Sequence, residues 1–282
     1  MTPIQIILLV GICVFGLGTL VTAVVGIVYF SWGNSQLGNL HAKDKYRKYW
    51  HRTLWVYGVL FLDMFLLFML YLVQYFSQGI TQNLSGVYVV WGRWLIFIFI
   101  SYVNSNCLTY VMTKHSNDIQ SKVYVLASVL AYLFFLFATG SQATETRSSW
   151  IAGSAFIFII ALLSYVLPYN KWRVVDSKFH SDIKDAPWGA YYHRAFYLIF
   201  IVAYVIYFLI WITSPVNGLT AMTTEIEIGL YLAIDVLSFL IFAIYMFITT
   251  HTLMHQHLYV TCKNTVDYNN LLRLTSVVSK KQ

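Results

Sequence analysis

The chain has 282 residues, of which 59% are hydrophobic and only 10% charged. A soluble domain carries roughly 25% charged residues, so a water-soluble globule is excluded. A net charge of +7 is compatible with a nucleic-acid partner, but the placement of the basic residues argues against one.

The apolar residues fall into seven blocks, at about 4–31, 52–76, 86–113, 122–140, 149–167, 195–213 and 226–250. A helix needs about 20 mostly apolar residues to cross a hydrocarbon layer about 30 Å thick, because each residue rises about 1.5 Å. All seven blocks reach or approach that length, and they are continuous rather than alternating. A bundle of seven transmembrane helices is therefore expected and a barrel is not. Short polar runs such as Ser77–Ser85 and Lys114–Lys122 join the blocks, leaving no room for a separate soluble domain. The expected organisation is a bundle over 1–250 and a tail over 251–282. The first block has no basic residue ahead of it and reads as a mature span, not a cleaved leader.

Basic residues fix the expected orientation. Lys43, Lys45, Arg47, Lys48 and Arg52 fall in the first connection, and Lys114 and Lys122 flank the third. Lys171, Arg173, Lys178, Lys184 and Arg194 fall in the fifth, and Lys263, Arg273, Lys280 and Lys281 in the tail. That places 16 of 18 basic residues on one side, opposite Arg147, Glu145, Glu225 and Glu227. Positive loops stay cytoplasmic, so the N-terminus is expected outside and the C-terminus inside. A lipid bilayer is the implied partner, with a second copy or another membrane protein left open and nucleic acid not expected. Asn83-Leu84-Ser85 is a glycosylation sequon in an expected external loop. Cys13, Cys107 and Cys262 lie in helices or the tail, and no disulfide is expected.

Charges inside the hydrocarbon are costly and mark functional candidates. They are Asp63 in helix 2, Arg93 in helix 3 and Asp235 in helix 7, with Glu227 opening helix 7. Helix 3 adds a polar run: Ser101, Asn104, Ser105, Asn106 and Thr109. Arg93 is expected about two turns into its helix, and Asp235 lies about two turns past Glu227. Similar depth and opposite sign make them natural partners, while Asp63, with no partner evident, is expected as a neutral, hydrogen-bonded carboxyl. His251 and His255 share a helical face with His257 nearby, but nothing in sequence completes a metal site and none is expected. Tyrosines and tryptophans near segment ends read as interfacial anchors.

Helix 7 runs Glu227-Ile-Gly-Leu-Tyr-Leu-Ala-Ile-Asp235-Val-Leu-Ser238-Phe239, and helix 3 opens Trp91-Gly92-Arg93-Trp94-Leu95. With Arg147-Ser-Ser-Trp150 in helix 5 and Ala203-Tyr204 in helix 6, this pattern resembles the microbial rhodopsins. The resemblance implies a buried helix-7 aspartate, matched by Asp235, and a tryptophan packed on retinal, matched by Trp94. It also implies a retinal-bearing lysine four residues past the aspartate, where this chain has Phe239. The counterion carboxylate of the family is replaced by Arg93, and the cytoplasmic proton-donor position falls on Asn104. All eleven lysines lie in connections or the tail. The resemblance thus points to a lysine-less, opsin-related protein with no covalent retinal and a vestigial pocket of Trp94, Tyr204 and Phe239. The expected function is a non-pumping membrane scaffold, sensor or partner-binding protein. The alternative is an ion or proton channel or transporter using Asp63, Asn104, Arg93, Asp235 and Glu227. No catalytic set is visible and an enzyme is not expected.

Overall fold

The computed structural model describes residues 2–37, 43–77, 81–84, 87–112, 119–140, 146, 148–160, 162–163, 202–203, 205–214 and 222–262. Among these residues the chain forms seven helices and one β-hairpin. The helices are α1 (Pro3–Leu37), α2 (Lys43–Ser77), α3 (Trp91–Met112) and α4 (Ile119–Gly140), then α5 (Ser148–Ile160), α6 (205–213) and α7 (Thr224–Cys262). The strands are β1 (Thr81–Leu84) and β2 (Val87–Val90), paired antiparallel with Asn83 opposite Tyr88.

The hairpin corrects the expected start of helix 3 at residue 86. Val87-Tyr88-Val89-Val90 is apolar enough to read as the first turn of a span, but β-branched and aromatic residues favour a pleated strand. The helix begins at Trp91, which puts Arg93 in its first turn rather than two turns in. The hairpin carries the sequon residue Asn83 in β1.

Three other boundaries move. α1 continues from the expected 31 to Leu37, and α2 begins at Lys43 rather than 52. Lys43, Lys45, Arg47, Lys48 and Arg52 are therefore on a helix, not in a loop. The 35 residues of α2 span about 52 Å at about 1.5 Å each, well beyond the hydrocarbon thickness. α7 likewise runs twelve residues past 250, to Cys262, so the start of the expected tail is helical. His251, His255 and His257 fall on that extension. Among the described residues no group of three or more His, Cys, Asp or Glu side chains is placed to hold a metal ion.

Helix ends are set by local chemistry. Thr2 and Gln5 form a reciprocal capping box at α1, Thr2 N donating to Gln5 Oε1 at 2.9 Å and Gln5 N to Thr2 Oγ1 at 3.3 Å. Thr223 caps α7 by accepting from Ile226 N at 3.4 Å, and Glu225 and Glu227 in the first turn suit the helix dipole. Hydroxyls within the spans turn back onto their own helices, as Thr22 Oγ1 does to the Gly18 carbonyl and Ser154 Oγ to that of Trp150.

Among the described residues three helical stretches are long and apolar enough to cross a membrane: Pro3–Ser31, Leu54–Phe76 and Thr224–Ile244. Shorter apolar stretches cover Arg93–Asn104, Val129–Ala138 and Ser148–Ile160. α1 turns one side outward, with Leu17, Leu20 and Ile27 about two-thirds exposed, as a lipid-facing helix should. Its other side meets α2 through glycines. A Cβ on Gly11 would stand 2.5 Å from the Tyr71 ring, and one on Gly18 would stand 2.9 Å from Met64 Sδ. Small residues give this close approach in membranes, where no hydrophobic force drives helices together. Gly153 of α5 does the same for Phe134 of α4, whose ring lies 2.7 Å from where its Cβ would be.

Candidate functional site

The centre of the bundle is built on Asp235, which is fully buried. Four hydrogen bonds converge on its carboxylate. Arg93 Nη1 donates to Oδ1 at 3.0 Å and to Oδ2 at 2.9 Å. Tyr71 of α2 donates to Oδ2 at 2.6 Å, and Tyr207 of α6 donates to Oδ1 at 2.5 Å. A carboxylate offers about four lone-pair positions, so Asp235 has no acceptor capacity left. Arg93 also donates through Nη2 to the Tyr71 hydroxyl at 3.2 Å, and its guanidinium lies 4.3 Å from the Tyr231 ring centre. Four helices thus close one charged cluster of zero net charge. Satisfaction on this scale is what a buried ion pair needs to offset its desolvation.

The start of α3 explains the geometry. With the helix opening at Trp91, Arg93 reaches across to α7 from the first turn. Asp235 is eight residues, about 12 Å, into the span from Glu227. Glu227 is half-buried and accepts a hydrogen bond from Ser214 at the end of α6.

Aromatic rings fill the layer beside this cluster. Trp94 is buried and meets Phe135 at 5.4 Å, Tyr231 at 5.9 Å and Tyr132 at 6.2 Å between ring centres. Trp211 of α6 stacks on Phe135 at 4.4 Å, and Phe208 on Phe158 of α5 at 4.3 Å. Phe239, one turn past Asp235, is 6% exposed and packs edge-on against Phe97 at 6.2 Å. Rings from α3, α4, α5, α6 and α7 therefore interlock, and edge-to-face pairs add about 0.5–1.5 kcal/mol each beyond burial.

Of the residues expected from sequence, the structure brings Arg93 and Asp235 into contact and places Trp94 and Phe239 in the aromatic layer next to them. Tyr204 lies outside the described residues. Asp63 and Asn104 are buried elsewhere, facing each other between α2 and α3. The side chains of Ser101, Ser105, Asn106 and Thr109 lie outside the described residues. Cys13 is a free, exposed thiol on α1. Sequence reasoning missed Tyr71, Tyr207 and Tyr231. Their signal was available: each is a phenol within an apolar run, and Tyr231 stands one turn before Asp235.

No family model matches the chain, and no curated protein matches it in sequence. Solved structures do match its fold. The thermophilic rhodopsin of Rubrobacter xylanophilus superposes with a TM-score of 0.65 at 17% identity, over 88% of this chain and 98% of that one. Bromide-bound halorhodopsin of Halobacterium salinarum matches at 0.62 and 15%, over 90% and 95%. Cyanorhodopsin of the cyanobacterium Calothrix matches at 0.61 and 15%, over 89% and 95%. Across nearly their whole lengths, at identities that speak for fold alone, these similarities show a microbial-rhodopsin-like seven-helix bundle and an integral, multi-pass membrane protein.

Proposed function

We propose that this chain is a retinal-free rhodopsin-like membrane protein that does not pump ions under light and serves as a non-enzymatic scaffold, sensor or partner-binding bundle. The observation that carries the reading is the saturation of Asp235 by Arg93, Tyr71 and Tyr207. A protonated Schiff base needs a lysine amine and an anion beside it. At the lysine position of the resembling family stands Phe239, packed on Phe97. The nearest buried anion already holds a fixed cation, so a second positive charge would meet Arg93 rather than a free carboxylate. These residues do not fit the chromophore. Halorhodopsin is a light-driven chloride pump; its role does not transfer to a bundle with this interior.

The test is direct. Purified protein incubated with all-trans retinal should give no absorption band shifted into the visible. A stable visible pigment, trapped by borohydride on a lysine, overturns the reading. The placement of 16 of 18 basic residues supports an outside N-terminus and a cytoplasmic end beyond about residue 250. Accessibility of single cysteines placed in successive connections, labelled from either side of sealed vesicles, checks both.

One observation favours a second reading, an ion or proton channel or transporter. Among the described residues, Asp63 and Asn104 carry buried oxygens with no hydrogen-bond partner. Flux through liposomes that Asp63→Asn abolishes would establish it, and tight liposomes would remove it.

A further inference from the structure

The second buried carboxylate belongs to a different environment. Asp63 of α2 is 1% exposed, and among the described residues neither of its oxygens has a hydrogen-bond partner. Its interacting neighbour is Asn104 of α3, itself 8% exposed, whose side-chain amide approaches the carboxylate without a well-formed hydrogen bond and whose Oδ1 is unpartnered. Ser238 of α7 presents a third buried, unpartnered oxygen. No described arginine, lysine or histidine acts on Asp63, because Arg93 is committed to Asp235.

Helix register brings the three together. Val56, Val59 and Leu60 of α2 pack with Phe242 and Met246 of α7 and Val103 of α3 in one apolar cluster. Taken with this cluster, the Tyr71–Asp235 bond shows that α2 and α7 run in opposite directions past each other. Moving from the cluster toward that bond, Asp63 is three residues beyond Leu60 and Ser238 is four residues before Phe242. The two steps are about 4.5 Å and about 6 Å of helix rise. Asn104 directly follows Val103. Register therefore sets Asp63, Asn104 and Ser238, each with a buried unpartnered oxygen, at one depth on three helices.

Oxygen-only ligation is the chemistry of hard cations. When Asp63 is ionised the layer carries one negative charge, which a monovalent ion neutralises while a divalent ion leaves a buried excess charge. A proton on Asp63 supplies a donor to one neighbouring acceptor, whereas a metal ion engages all of them together. We infer that Asp63, Asn104 and Ser238 form a buried binding site for a monovalent alkali cation, with sodium the natural probe. This site is separate from the Asp235 cluster, and its existence does not depend on whether the bundle takes retinal.

The test uses the full chain in nanodiscs of zwitterionic lipid, its thermal midpoint followed as sodium chloride replaces N-methyl-D-glucamine chloride at constant ionic strength. Sodium should raise the midpoint saturably, by about 3–6 °C at ten times its Kd. Asp63→Asn should abolish the rise, and Ser238→Ala should move its half-saturation about tenfold higher, as expected for loss of one neutral ligand. Identical midpoints in the two salts overturn the proposal. So does a sodium-dependent rise that survives in Asp63→Asn, or a sodium-independent midpoint that rises on acidification, which would assign Asp63 to a proton. If Asp63→Asn does not fold, the wild-type titration and Ser238→Ala decide. Displacement of bound radioactive sodium by unlabelled sodium should give one site per chain, and no displaceable sodium counts equally against it.

Discussion

Asp235 and Asp63 are both fully buried aspartates in one bundle, yet they are treated in opposite ways. Asp235 receives four hydrogen bonds and a guanidinium, while neither oxygen of Asp63 has a partner among the described residues. The first arrangement is complete from the protein's own side chains and fixes four helices. The second is incomplete without something else. A buried carboxylate therefore tells little about role until its acceptors are counted. A saturated one is a fastener, and an unsaturated one needs a proton, an ion or another group to satisfy it.

Substitutions should separate the two in order of size. Asp235→Asn leaves Arg93 buried without its anion and should cost about 3–5 kcal/mol of stability, read by denaturant titration in bicelles. An effect below about 1 kcal/mol would mean that the pair does not hold the bundle. Tyr207→Phe removes one hydrogen bond to the same carboxylate and should cost about 1.5–3 kcal/mol, with the fold retained by circular dichroism. Gly11→Ala drives a methyl against the Tyr71 ring, whose nearest atom is 2.5 Å from the added carbon. It should cost about 1–3 kcal/mol by overpacking, and combined with Tyr71→Phe the two losses should fail to add, since they act on one side chain. Asp63→Asn, measured in sodium-free medium, should be neutral or stabilising by up to about 1 kcal/mol, because it removes a charge that has no partner. A loss as large as that of Asp235→Asn would erase the contrast.

The sequence made the charged pair legible because charge inside apolar runs is rare: Arg93 and Asp235 stand out against 59% hydrophobic residues. The tyrosines that complete the site are three phenols among 22, and their place within apolar runs is a weaker signal than a charge. What separates Tyr71 and Tyr207 from anchors is the helix face they occupy, which only packing reveals. The seven helices were readable from block length, which reports hydrophobic thickness and nothing finer. Block length is also why the start of helix 3 was misplaced. Hydropathy cannot tell Val87–Val90 as a strand from the same residues as a helical turn, although β-branching could have warned of it. The basic end of α2 was read as a loop because charge marks the edge of a membrane, not the edge of a helix.

The long-range bonds of Asp235 also bear on assembly. Tyr71 and Arg93 lie 164 and 142 positions before the aspartate they bond. During synthesis, α2 and α3 therefore emerge long before the last helix supplies their anion. Until then the guanidinium has no counter-charge from α7, and burying it is costly. A chain cut short ahead of α7 would lack the anion that neutralises this guanidinium, so the last helix completes the charge balance of the first three.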